Sequence, residues 1–226
     1  RFLQITMSNN FSEMYEIIST VIKKEEKFWS KFKEKNKGRF ENLKNIIRKN
    51  DIVENFETEN ILTEGCYPLH PFTTFILPIL SEKIAQNERS LFTFLSSNQK
   101  KSLNDFLKQE QNEFQLITPD YLYDYFEITL KNEIHTTSLY KNYNILKKVL
   151  AKVTPLSLEE KILKTLFLIY LVDKFETMPP TKEILIEIYG YFYKDTVEIE
   201  KAIEILEKKE CILYLKRSNN HLKIKE

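Results

Sequence analysis

The chain has 226 residues, a formal net charge of +1 and only three glycines. Tight turns and phosphate-cradling loops need glycine, which usually makes up about 7% of a protein. The shortage therefore excludes most nucleotide-binding loops and favours long helices. A net charge this close to zero predicts no strong overall attraction to nucleic acid or to a membrane surface.

The first fifty residues predict a short strand followed by helices. Residues 2–7 alternate apolar and polar side chains, as a strand does, and Asn10 with Glu13 matches a capping box at a helix start. The charged stretch 23–49 predicts two amphipathic helices broken near Gly38. Its apolar stripe consists of Phe28, Trp29, Phe32, Phe40, Leu43, Ile46 and Ile47.

Prolines and capping residues divide the middle of the chain. Pro71 suits the first turn of a helix, whereas Pro78 would lie inside that helix and remove one of its hydrogen bonds. Asn87 can cap the next helix, which should bury Leu91, Phe92, Phe94 and Leu95. Further helices are predicted to begin at Ser97 and Thr118 and to span 138–153.

Residues 155–226 predict a separate unit of three helices and a hairpin. The helices should begin at a Ser157–Glu160 capping box, at Thr181 and at an Asp195–Glu198 capping box. Residues 211–217 and 221–225 flank a Ser-Asn-Asn turn and predict a β-hairpin. This order is that of a winged helix-turn-helix. We therefore expect a mainly α fold, with a helical domain over 1–154 and a winged helix-turn-helix domain with a C-terminal β-hairpin over 155–226.

The charges of this C-terminal unit argue against sequence-specific DNA reading by its third helix. Carboxylates outnumber lysines over 195–210, and phosphate would repel them. The hairpin is basic instead, and five of its residues could touch a DNA backbone or minor groove: Lys216, Arg217, His221, Lys223 and Lys225. The alternative is a solvated hairpin whose lysines discourage pairing with another strand.

No set of residues in the sequence suggests a catalytic or metal site. The histidines, His70, His135 and His221, lie in different segments and show no ligand spacing with Cys66 or Cys211. His70 is interpreted as a residue at a helix start with a satisfied ring, and the cysteines as unpaired buried thiols. Two cysteines, no signal peptide and no long apolar run predict a cytoplasmic protein that does not enter a membrane.

The run from Tyr67 to Leu95, Tyr-Pro-Leu-His-Pro…Gln-Asn-Glu-Arg…Phe-Leu, resembles a segment of large bacterial ATP-binding proteins with an AAA+/STAND-like P-loop core. Residues 1–7 and the following helix are similar to the last core strand and the helix after it. The C-terminal winged helix resembles the one that follows the lid in replication-initiator-type ATPases. The specific part of the resemblance is 67–95, and the remainder is a similarity of pattern.

This resemblance implies that the nucleotide binds to an N-terminal core, with ATP and Mg²⁺ as cofactors of the full-length protein and none in this part. The present residues would supply a lid and a winged helix. Gln86, Asn87, Glu88 and Arg89 would form a nucleotide-sensing cluster, with the Arg89 guanidinium contacting a γ-phosphate. The alternative is that Glu88 and Arg89 are first-turn surface residues and that Gln86 and Asn87 only cap a helix.

The leading hypothesis is therefore a non-catalytic C-terminal part of a multidomain bacterial ATPase that couples nucleotide state to a protein or nucleic-acid partner. Because the sequence begins at Arg1, we expect a longer chain whose upstream core contains a Gly-Lys-Ser/Thr loop. One alternative is a stand-alone winged helix that binds the DNA backbone through its hairpin. Another is a helical protein-interaction scaffold that uses the apolar stripe over 28–47.

Overall fold

A computed structural model of the protein describes residues 11–53, 55–85, 89–108, 114–133, 138–193, 195–215 and 220–225. Within these ranges the chain is mainly helical and ends in a two-stranded antiparallel hairpin. The mainly α fold class and the C-terminal hairpin are thus confirmed. The strand over 2–7 and the capping roles of Asn10 and Asn87 lie outside the described residues.

The elements follow one another in chain order with short connections. The helices of the first part are α1 (Phe11–Val21), α2 (Glu26–Lys35), α3 (Lys37–Lys49), α4 (Phe56–Asn60), α5 (Pro71–Ala85), α6 (Arg89–Ser96), α7 (Leu103–Leu107), α8 (Pro119–Glu133) and α9 (Ser138–Leu150). A π-helical segment, Ile61–Gly65, continues α4. The later elements are α10 (Leu158–Val172), α11 (Lys182–Tyr189), α12 (Val197–Lys208), β1 (Ile212–Leu215) and β2 (His221–Ile224).

The break between α2 and α3 falls at Asn36 rather than at the predicted Gly38. The Asn36 side-chain amide donates to the carbonyl of Phe32 at 2.9 Å. Asparagine ends helices readily because its side chain competes for backbone hydrogen bonds. Gly38 lies inside α3, where a Cβ would meet no atom within 4 Å, so its backbone freedom is not required there.

Helices α5 and α8 lie side by side, and each begins at a proline. Pro71 and Pro119 are the first residues of these helices, where the missing N–H costs nothing. The segments before them pair, because the Ile117 N–H donates to the carbonyl of Pro68 at 2.8 Å and the His70 N–H donates to that of Ile117 at 3.0 Å. Because this pairing holds the two segments next to each other, α5 and α8 begin side by side and pack along each other.

The region between α5 and α8 departs from the predictions at two residues. Ser97 does not start a helix, because its N–H still bonds to Thr93 at the end of α6. Helix α7 instead begins after Ser102, whose hydroxyl accepts from the Asp105 N–H at 3.3 Å. Phe92 is 39% exposed rather than buried, because only Leu91, Phe94 and Leu95 share the inward face of α6. Pro78 lies inside α5, as predicted.

The starts of α10 and α11 follow the predicted caps. The Ser157 hydroxyl accepts from the Glu160 N–H at 3.3 Å, and the Thr181 hydroxyl accepts from the Ile184 N–H at 3.4 Å. The Glu160 carboxylate, however, accepts from the N–H of Leu156 rather than from that of Ser157. The return bond of the capping box is therefore displaced by one residue.

The start of α12 differs from its prediction. Thr196 occupies the cap, and Asp195 accepts from the Val197 N–H at 3.0 Å, so the Asp195–Glu198 capping box is not formed. The strands that follow pair as predicted, with Leu213 opposite Lys223 and Leu215 opposite His221.

Helix α10 lies at the centre of the hydrophobic core. It packs against α5, α8, α9, α12 and β2, and its buried side chains are Ile162, Leu163, Thr165, Leu166, Phe167, Leu168, Ile169, Leu171 and Val172. The core runs without interruption from α1 to β2 and so crosses the predicted boundary at 154–155. The division into two domains stays a prediction.

A buried polar network joins α8, α10 and α11. The Tyr189 hydroxyl donates to Asp120 Oδ1 at 3.0 Å and lies 2.7 Å from the Thr165 hydroxyl. Thr118 donates to the same Asp120 oxygen at 2.6 Å. Burial raises the pKa of Asp120, and the hydrogen bonds from Thr118 and Tyr189 oppose that rise. Unpaired polar groups are costly in a low-dielectric interior, so this network specifies how the three helices fit together.

Replacing Tyr189 with Phe removes the hydroxyl that Asp120 and Thr165 share. We expect the free energy of unfolding to fall by about 1–3 kcal/mol, because buried Asp120 loses a hydrogen-bond donor. Urea denaturation followed by circular dichroism measures the change. Tyr193→Phe is the matched control, because Tyr193 is only half-buried and takes no part in the hydrogen bonds that join Thr118, Asp120, Thr165 and Tyr189. Equal losses in the two variants would contradict a special role for the Tyr189 hydroxyl.

The raised pKa of Asp120 predicts a pH dependence of stability. The folded protein holds this proton more tightly than the unfolded chain does. Stability should therefore fall as pH rises from the ordinary value of 3.8 through the raised pKa. The side chain of Asp120→Asn cannot ionise. As pH rises across this window, the unfolding free energy of this variant should therefore increase relative to that of the unsubstituted chain. Urea denaturation below and above the window tests this, and a constant difference would refute it.

Candidate functional site

Most of the predicted nucleotide-sensing cluster lies outside the described residues. This holds for Gln86, Asn87 and Glu88, and of Arg89 only the backbone is described, as the first residue of α6. An open cleft of about 800 Å³ lies beside this helix, between α6 and α8. Lysines and carboxylates both line the cleft, so its charge is balanced. The described lining residues therefore supply no excess of positive charge for a triphosphate.

The predicted basic residues of the hairpin occupy three different environments. Lys216 and Arg217 lie outside the described residues. Lys223 is exposed on β2, on the same face as Leu213, and forms no ion pair within the described segments. Lys225 pairs with Glu210 at 3.1 Å. The His221 ring packs edge-on against Phe175, with centroids 5.7 Å apart.

A groove between α9, α10 and the hairpin, here called the hairpin groove, has a volume of about 660 Å³. Its floor is apolar and is formed mainly by Ile145, Phe167, Tyr170, Leu171, Leu213 and Leu215. The Tyr170 hydroxyl donates to the carbonyl of Leu222 at 3.0 Å, which fixes the hairpin against α10. Helices α9 and α10 and the hairpin therefore hold the floor of the groove in place.

The rim of the hairpin groove is basic. Lys141 from α9 and Lys223 and Lys225 from the hairpin line it, and no carboxylate does so among the described lining residues. Lys225 is partly neutralised by Glu210, so exposed Lys223 supplies the clearest positive charge. An apolar floor with a cationic rim suits a molecule with an apolar body and a negative group.

The outer face of α12 is poorly suited to phosphate. Exposed Glu198 and Glu204 lie on it, and Glu200 pairs with Lys182 at 2.8 Å. Its lysines, Lys201 and Lys208, are exposed beside these carboxylates, and Lys208 lies 4.0 Å from Glu204. That this helix does not read DNA bases stays a prediction.

The apolar stripe over 28–47 is not the exposed contact surface that the scaffold hypothesis requires. Phe40, Leu43, Ile46 and Ile47 are buried in the core. Trp29 and Phe32 stack at 5.5 Å and pack with Phe40, Tyr67 and Phe114 in one aromatic cluster. Of the stripe, only Phe28 is largely exposed, at 72%. The prediction of an exposed stripe is wrong, because α2 and α3 fold their apolar faces onto Tyr67 and Phe114.

His70 has a structural role, as its sequence context indicated. Its Nδ1 accepts from the Phe72 N–H at 3.2 Å, so Nε2 carries the proton and donates to the carbonyl of Glu187 at 3.2 Å. Burial lowers the pKa of His70 to about 3, and the ring is neutral at physiological pH. Both ring nitrogens are engaged, and the buried ring is not placed to act as a base.

Both cysteines are buried free thiols, as predicted. Burial raises the pKa of the Cys66 thiol to about 12, so it is not a nucleophile at neutral pH. In the described ranges, no group of three or more His, Cys, Asp and Glu side chains is arranged to hold a metal ion. The same ranges contain no helix that combines the length and the apolar character needed to cross a membrane.

Sequence reasoning missed the contacts that attach α11 to the rest of the chain. The Glu187 carboxylate accepts from Lys49 Nζ at 2.5 Å and from the Asn50 side chain at 2.7 Å, at the end of α3. Sequence reasoning also missed a contact between α5 and α10, because Lys83 donates to the last carbonyls of α10 at 3.0 and 3.1 Å. Nothing local in the sequence indicates such partners, because they lie far apart along the chain.

Comparison of the chain with protein-family models, with curated proteins and with solved structures finds no significant match. The resemblance of 67–95 to P-loop ATPases is therefore supported by sequence pattern alone and stays a prediction. Function has to be argued from the geometry of the residues described above.

Proposed function

We propose that the chain is the lid and winged-helix part of a multidomain bacterial P-loop ATPase, and that it transmits nucleotide state to a partner without catalysing a reaction itself. The resemblance of 67–95 supports the family. In that setting ATP and Mg²⁺ bind to the core domain, because this sequence contains no Gly-x-x-x-x-Gly-Lys-Ser/Thr loop.

The arrangement of the C-terminal elements supports a winged helix. Helices α10, α11 and α12 precede the hairpin, and α12 packs against both α10 and α11. The hairpin follows α12 directly and packs against α10. This order of elements and this packing support the assignment as a winged helix-turn-helix.

The observation that carries the coupling hypothesis is the attachment of α11. Tyr189 bonds to Asp120 at the start of α8, and Glu187 bonds to Lys49 and Asn50 at the end of α3. A displacement of α3 or α8 would have to break these bonds or carry α11 with it. In the proposed role, α11 transmits movements of the lid to the winged helix.

The full-length protein tests this proposal. Arg89→Ala should lower ATPase turnover at least about tenfold, because a γ-phosphate would lose its arginine. The melting temperature of this variant should stay within about two degrees of that of the unsubstituted protein, since an arginine that contacts only the nucleotide contributes little to folding stability. Lys37→Ala, an exposed residue in the first turn of α3, is the control. A full-length protein without ATPase activity, or unchanged turnover in the Arg89 variant, would contradict the proposal.

A second candidate function is binding of the DNA backbone through the hairpin. The exposed Lys223, which pairs with no carboxylate in the described segments, favours it, while the acidic face of α12 limits it to phosphate contact. Such binding would be weak and independent of sequence.

Gel-shift and fluorescence-anisotropy titrations at low salt test the second candidate. Lys223→Glu should weaken DNA binding several-fold and reduce the salt slope by about one, because one phosphate contact is lost. Lys208→Glu places the same charge change on α12 and should have little effect. No complex at low salt, or equal losses in the two variants, would rule out binding through the hairpin.

A further inference from the structure

The hairpin groove has no role in either proposed function. Coupling to an ATPase core uses α3, α8 and α11, and DNA phosphates need only the exposed lysines of the hairpin. The groove nevertheless combines an apolar floor with a basic rim and is bounded by α9, α10 and both strands.

We propose that the hairpin groove binds a small anionic amphiphile, a molecule with an aliphatic or aromatic body and one carboxylate, sulfonate or phosphate group. The volume of about 660 Å³ lies within the range of about 300–1,000 Å³ that is typical of small-molecule sites. The lining is also of the typical kind, since a largely hydrophobic surface carries a few polar groups at its edge.

The floor supplies the affinity for the apolar body. Ile145 on α9, Tyr170 on α10 and Leu213 on β1 line the groove and are only half-buried. A ligand in the groove would remove their remaining apolar surface from water. The Tyr170 hydroxyl is already bonded to Leu222, so this residue offers its ring rather than a hydrogen bond.

The rim selects the sign of the charge. Lys223 lies opposite Leu213 in the strand pairing, so its side chain leaves the backbone beside the apolar floor. Its aliphatic stem can lie along that floor while its charge remains at the solvent edge. Lys141 and Lys225 add positive charge, and the described lining residues include no carboxylate that would repel an anion.

Isothermal titration calorimetry with sodium dodecanoate, kept below its micelle-forming concentration, tests this site. The unsubstituted chain should bind it at one saturable site. Dodecyltrimethylammonium, which has the same tail and the opposite charge, should bind at least about tenfold more weakly, because the lysines would repel it. Equal binding of the two amphiphiles would overturn the proposal.

Three variants locate the binding. Lys223→Glu should weaken dodecanoate binding at least about tenfold, whereas Lys208→Glu on α12 should leave it unchanged. Lys223 is exposed, so its replacement leaves the core intact, and circular dichroism checks this. Leu213→Gln keeps every lysine but removes part of the floor, so it should weaken dodecanoate binding and spare any DNA binding. Unchanged affinity in both the Lys223 and the Leu213 variants would show that the ligand binds elsewhere and would overturn the proposal.

Discussion

Helix α10 is buried on nearly every side, and the neighbouring elements are arranged around it. Apolar side chains cover almost the whole circumference of this helix, and such a helix is stable only when other elements surround it. The elements that do so are α5, α8 and α9 before it in the chain and α12 and β2 after it. Separating the C-terminal elements from the earlier helices would therefore expose the apolar surface of α10 to water.

Polar groups decide how the helices fit around α10. Many arrangements bury apolar side chains about equally well, but few of them satisfy Asp120, Thr165 and Tyr189 at once. Lys83 adds a further restriction, because its ammonium group bonds to the last carbonyls of α10, where positive charge is favourable. The position of α11 relative to α8 follows from these bonds, and the proposed transmission of movement depends on them.

Charge and apolar surface are distributed unevenly over the C-terminal elements. Acidic residues lie on the outer face of α12, whereas lysines surround the hairpin and the groove beside it. A nucleic acid and an anionic amphiphile would both approach from the hairpin side, since both are negative. The two ligands differ in their need for apolar surface, because only the amphiphile would contact the floor formed by α9, α10 and β1.

Features that depend on a few neighbouring residues could be predicted from the sequence: the helix starts at Pro71, Pro119 and Thr181, the hairpin, and the basic character of the hairpin. Caps and periodicities act over one or two turns, so they can be read locally. The burial of the 28–47 stripe, the partners of Asp120 and Glu187, and the floor of the hairpin groove could not be predicted in this way. These features join residues that lie far apart in the chain, and only the packing of helices around α10 brings them together.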